Sequence, residues 1–154
     1  MKEPVYERLK SYDGPANEHA IFVDTIISEA NIPENASDKE KIICIADCIA
    51  KFKYDNDQFK SLVLDNHIPG WKVMRDCNIT ICDSDGKLFK SCMDKLGVKC
   101  RVITSDNHLW NQVYIDDKWV AIDVTLYRSK NQNKNYLFFN DEYRNILRIY
   151  EESW

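Results

Sequence analysis

Apolar positions recur at helical spacing over Asn17 to Ala30, where Phe22, Ile26 and Ala30 form a stripe that Asn31-Ile-Pro33 interrupts. Ser37 and Glu40 make a capping box that opens a second helix, with Ile42, Ile45, Ala46 and Ile49 on its buried face and an end near Tyr54-Asp55-Asn56-Asp57. From Gln58 to Ile81 the pattern is mixed, so a loop broken at most by a short helix is expected, with a turn at His67-Ile-Pro69-Gly70. A further helix, from about Asp83 to Leu96, groups Leu88, Phe89, Cys92, Met93 and Leu96 on one side and stops at Gly97. Cys82 stands at its N-terminus.

Beyond Gly97 the period falls toward two. Val98 to Thr104 reads as a strand, and His108 to Ile115 and Lys118 to Thr125 read as a hairpin around Asp116-Asp117. If Ile115 pairs with Lys118, His108 lies opposite Thr125 and Trp110 opposite Asp123. His108, Trp110, Trp119, Asp123 and Thr125 then share one face, and Asp123 is the diagonal neighbour of His108 at roughly 7 Å between backbones. Leu109, Val113, Ile115, Val120, Ile122 and Val124 face the core, with Asn111 and Lys118 as exceptions. Tyr136 to Phe139 should add a fourth strand before a terminal helix over about 141–150, and the polar run from Arg128 to Asn135 reads as an exposed loop. The resulting expectation is an α+β fold in one domain over 1–154, with a helical part to about 97 and an antiparallel sheet over about 98–140.

Composition narrows the function classes. With 154 residues, 44% hydrophobic and 30% charged, the chain reads as a globular protein with room for a substantial core. A net charge of -4 gives no basic face for nucleic acid. No apolar run approaches a membrane span, and the charged start Met1-Lys-Glu-Pro4 does not read as a signal peptide. Compartment and oligomeric state stay open. The 6 cysteines lack CxxC pairing and are read as mostly reduced. Cys44 and Cys48 lie at i and i+4, but with no matching His/Cys pair they are read as core thiols, and neither metal nor cofactor is expected.

The chemistry lies in Cys82, His108 and Asp123: a thiol, an imidazole and a carboxylate in the chain order of a papain-type nucleophilic site. A helix N-terminus and a neighbouring imidazolium both favour a thiolate. Asp83 and Asp85 oppose it, each by about 1 kcal/mol at intermediate dielectric if within about 6 Å of the sulfur.

These residues resemble the transglutaminase-like superfamily, whose members often carry Cys-x-x-x-Ala-x-Leu-Phe, then Leu-Gly-Ile, His-Ala-Trp-Asn and Trp-x-x-x-Asp-x-Thr. The matches are Cys82, Leu88, Phe89, Leu96, Gly97, Val98, His108, Trp110, Asn111, Trp119, Asp123 and Thr125. The resemblance covers about Asp38 to Thr125 and is nearest to small bacterial members. Where the family usually has Gly two residues before the Cys, an aromatic three after and Ala four after, this chain has Thr80, Asp85 and Gly86. The resemblance implies a papain-like, transglutaminase-like core and amide chemistry on a protein or peptide substrate, as a peptidase or by transglutaminase-type acyl transfer. Acyl transfer from a small thioester donor to an arylamine is a weaker alternative. It also implies an upstream second oxyanion donor, for which the Trp71 indole N–H is a candidate against a packing role. Trp110 is a candidate substrate contact against a role in hairpin packing. The departures leave room for an inactive binding or assembly module on the same fold.

Overall fold

The computed structural model describes residues 16–142 and 144–151; the expectations for Met1–Pro4 and for the ends of the 1–154 domain lie outside them. Helix α1 spans Ala16–Glu29. Helix α2, Asp38–Ile49, begins at Ser37, whose Oγ accepts the Glu40 N–H at 3.1 Å and donates to the Glu40 carboxylate. The next long helix, Cys82–Leu96, ends at Gly97 in the left-handed region, φ 76°, a conformation that costs glycine little. Every residue of that helix from Asp83 to Met93 is buried, because it runs between α1 and α2 on one side and the sheet on the other.

The stretch expected to be mainly loop is instead mostly structured. It holds β1 (Lys53–Tyr54), α3 (Asn56–Lys60, capped by Asp55), a π-helical turn (Ser61–Asp65), α4 (Gly70–Cys77) and β2 (Ile79–Thr80), and the helix from Cys82 is therefore α5. Each piece is too short for its apolar period to stand out, and α4 owes its place to the buried Trp71, Val73 and Met74.

The sheet is antiparallel in the order β6-β5-β4-β3-β7, with β3 Cys100–Thr104, β4 Leu109–Ile115, β5 Lys118–Ile122, β6 Phe138–Phe139 and β7 Arg148–Tyr150. The β4–β5 register pairs Ile115 with Lys118, as the alternation requires. Asp116 and Asp117 both take positive φ, 53° and 61°, the geometry of a two-residue turn whose twist suits a hairpin. The pairing stops at Asn111 opposite Ile122, short of the expected Trp110–Asp123 and His108–Thr125 pairs. Asp123 instead caps helix α6, Val124–Ser129, so Thr125 is helical.

The expected terminal helix over 141–150 is not formed in the described residues. Arg148–Tyr150 pairs antiparallel with β3, and Leu147 N–H donates to Thr104 O at 2.9 Å. The run Ile146-Leu-Arg-Ile-Tyr150 is short for an isolated helix and finds an open strand edge in β3. The main core joins α1, α2, α4 and α5 to Val113 and Ile122 on the helix-facing side of the sheet. A smaller cluster of Ile103, Trp110 and Ala121, with Phe139 against it, fills the other face.

Candidate active site

Two chain segments distant in sequence bring Cys82 to the surface. The parallel pairing of β1 with β2 sets Tyr54 beside Thr80, two residues ahead of Cys82. Ile81 is extended, and Cys82 is the first residue of α5, where backbone N–H groups lack a partner in the preceding turn. Ser84 Oγ accepts the Ile81 N–H at 3.0 Å and fixes the entry into the helix. Cys82 is half-buried, open to solvent yet held by the helix start.

His108 stands just before β4, in a tight loop closed by the Ser105 N–H donating to His108 O at 2.9 Å. Its Nε2 is 2.6 Å from Asp123 Oδ2. A carboxylate only accepts, so Nε2 carries the proton in this pair and Nδ1 is left for Cys82. Asp123 is buried, and its Oδ1 accepts the Leu126 N–H at 2.9 Å, so capping α6 and orienting the imidazole are done by opposite oxygens of one carboxylate. Burial pulls the His108 imidazole down, but hydrogen bonds to Asp123 and Cys82 and the charges of both raise it to about 9. The ring is thus held as a cation next to the sulfur at neutral pH.

Trp110 stacks on His108 with ring centroids 5.7 Å apart. Its indole N–H donates to Asp141 Oδ2 at 2.9 Å, and Gln112 Nε2 donates to the same oxygen at 2.7 Å. Trp110 is buried, which fits packing that steadies the imidazole better than contact with a substrate. Asn111, an exception on the core face of the strand, donates to Gly86 O at 2.9 Å and ties β4 to the first turns of α5.

Cys82 and His108 open into a cleft of about 240 Å³, walled also by Tyr54, Lys60 and Asp106. Trp71 does not line it. That side chain is fully buried in α4, packed near Phe22 and His19 of α1. Tyr54 is the upstream aromatic that does line the cleft; in sequence Tyr54-Asp55 stands only at the expected end of a helix, and it is the β1–β2 pairing that brings it to Cys82. Burial first, then the negative charges of Cys82 and Asp85, push the Tyr54 phenol up, so its O–H remains a donor at neutral pH.

The unusual residues around Cys82 bond to each other. Asp85 accepts the Thr80 hydroxyl at 2.7 Å, the Thr125 hydroxyl at 2.7 Å and a forked pair from Arg128 at 2.7 and 2.9 Å. Gly86 faces Leu109, whose Cδ2 would sit 2.1 Å from any added Cβ. Among the described residues no group of three or more His, Cys, Asp or Glu side chains is placed to hold a metal ion. Nor is any helix long and apolar enough to cross a membrane.

No protein-family model and no curated protein matches the chain. Among solved structures, one described as a TGase aligns with a TM-score of 0.56 at 17% identity, over 73% of this chain and 34% of that one. The chain spans about a third of the length of that protein. The likeness shows the fold, an α+β architecture of the transglutaminase-like type.

Proposed function

We propose that the chain carries a cysteine-nucleophile site for amide chemistry on protein or peptide substrates, with Cys82, His108 and Asp123 as its triad. The observation that supports this most is the 2.6 Å contact between His108 and Asp123, with Cys82 opening the adjacent helix in the same cleft. Chain order alone does not produce that geometry.

In this reading the Cys82 thiolate attacks the amide carbon and the carbonyl π electrons move to oxygen. The backbone N–H of Cys82 and the Tyr54 hydroxyl stabilise that oxyanion. Collapse breaks the C–N bond as the His108 imidazolium gives its Nδ1 proton to the leaving amine, leaving a thioester on Cys82. Neutral His108 then takes a proton from water or an amine, which attacks the thioester and restores the thiolate. Asp123 holds the ring throughout. Peptidase and transglutaminase-type acyl transfer share the first half and differ only in the acceptor.

The test is the rate of iodoacetamide labelling of each cysteine against pH, resolved by mass spectrometry, in the parent and in His108→Ala. Fast labelling of Cys82 below pH 7 that His108→Ala abolishes is the expected result, and peptide and glutamine substrates should then be screened. A Cys82 that labels no faster than an ordinary free thiol refutes the reading. The carboxylates of Asp83 and Asp85, so near the sulfur in sequence, favour a second reading: an inactive binding or assembly module. An unreactive Cys82 would select it.

A further inference from the structure

Asp85 poses an electrostatic problem to which Arg128 is the answer. It follows Cys82 by three residues on α5, so the two side chains are neighbours on one helix face. A carboxylate there repels a thiolate. At 1% exposure, Asp85 is also poorly screened by solvent.

Arg128 meets Asp85 with a two-pronged guanidinium at 2.7 and 2.9 Å. Its other donors reach the carbonyls of Ala50 at 3.2 Å and Ile49 at 2.8 Å, the C-terminal end of α2. The cation is therefore fixed in place by four bonds to two separate elements. Arg128 and Thr125 both belong to α6, and the residue that caps α6 is Asp123, the partner of His108. The bonds from Arg128 and Thr125 to Asp85 thus join the helix carrying the nucleophile to the helix that begins with the orienting acid.

We propose that Arg128, through Asp85, is a charge-balancing residue for Cys82: it cancels the carboxylate that lies one helical turn from the sulfur. The charges around Cys82 are Asp83, Asp85 and Lys87 on its own helix, Lys60 on α3, Asp106 and His108 in the β3–β4 loop, and Asp123 and Arg128 from the α6 side, with the Tyr54 phenol on β1. Arg128 is the cation bonded to Asp85. Both charges reach the cleft: Tyr54, besides its burial, responds to Asp85 and to Arg128 in opposite senses. Thr80 and Asp85 are then a matched set with Arg128 and Thr125, and their presence beside a nucleophile is consistent with a reactive thiol. The inference takes its catalytic meaning from the proposed function, but its electrostatic content is separately measurable.

The experiment compares Asp85→Asn, Arg128→Gln and the double variant by the rate of Cys82 alkylation at pH 6.5, located by mass spectrometry, with thermal melts run on the same samples. Charge balance requires single variants of opposite sign. Arg128→Gln leaves a bare carboxylate near the sulfur and should slow alkylation on the order of tenfold, Asp85→Asn should speed it by a similar factor, and the double variant should return toward the parent rate. If both single variants slow alkylation, the pair is only structural and the proposal is overturned. Should Arg128→Gln not fold, Arg128→Lys keeps the charge and loses the fork: a rate near the parent supports the proposal, and a fall as large as that of His108→Ala overturns it. Slow parent labelling with opposite-signed variants sinks the proposed function alone. Fast parent labelling with same-signed variants sinks this inference alone, and a parent Cys82 that does not label sinks both.

Discussion

The contact between His108 and Asp123 makes the stability of the fold depend on pH in a definite direction. In the folded protein burial pulls the imidazole down, while the bonds to Asp123 and Cys82 lift it further, to about 9. In the unfolded chain it returns to about 6.5. The folded value is the higher one, so the stabilisation is fully present below about pH 6.5 and is lost as the pH climbs through about 9. A gap of roughly 2.5 units at about 1.4 kcal/mol each sets a ceiling near 3.5 kcal/mol. The His108 side chain is 20% exposed, and solvent screening brings the expected figure to about 2 kcal/mol. Urea denaturation of the parent and of His108→Gln at pH 6 and pH 9.5 measures it. Between those two pH values the parent should lose about 2 kcal/mol more than the variant. Equal losses would refute the reasoning, since they would mean that the Asp123 carboxylate does not retain the proton on the ring. Asp123→Asn is the poorer probe because Asp123 Oδ1 also caps α6.

Three further outcomes follow from particular contacts. Gly86→Ala drives a Cβ into Leu109 Cδ2 and should cost about 1–3 kcal/mol in chemical denaturation, with slower Cys82 labelling because Leu109 adjoins His108; adding Leu109→Ala should restore part of the labelling rate. Asp117→Gly relieves a left-handed aspartate in the β4–β5 turn and should raise stability by about 0.5–1 kcal/mol, read as a higher melting temperature with Cys82 labelling unchanged. Trp110→Phe keeps a ring against His108 but removes the donor to Asp141; a loss of about 1–3 kcal/mol is expected, with a smaller fall in Cys82 labelling than His108→Ala gives.

What could be read from the sequence was whatever is set by neighbours along the chain. The apolar stripe ending at Gly97 put Cys82 at a helix start, and the alternation across Asp116-Asp117 paired Ile115 with Lys118. The His108–Asp123 contact was anticipated for a partly different reason: Asp123 leaves the ladder to cap α6 and still reaches the ring. What was hidden depends on partners far off in sequence. Tyr54 reaches the cleft through a two-residue parallel pairing with β2, and a strand that short leaves no periodic trace. Arg128 sat at the start of a run read as exposed loop, although its bonds to Ile49, Ala50 and Asp85 draw it inward. Arg148–Tyr150 becomes a strand because β3 offers an edge, which no local pattern announces.

The contacts of α6 also bear on when the Cys82 cleft is completed during synthesis. Tyr127 bonds Asp47 and Arg128 bonds Ala50 across separations of 80 and 78 residues, and Arg128 bonds Asp85 across 43. Loops of that length close late, after local helices and the hairpin have formed. His108, Asp123 and Arg128 therefore come together around Cys82 and Asp85 only after residue 128 has emerged and α6 has docked, so the cleft is completed late in folding.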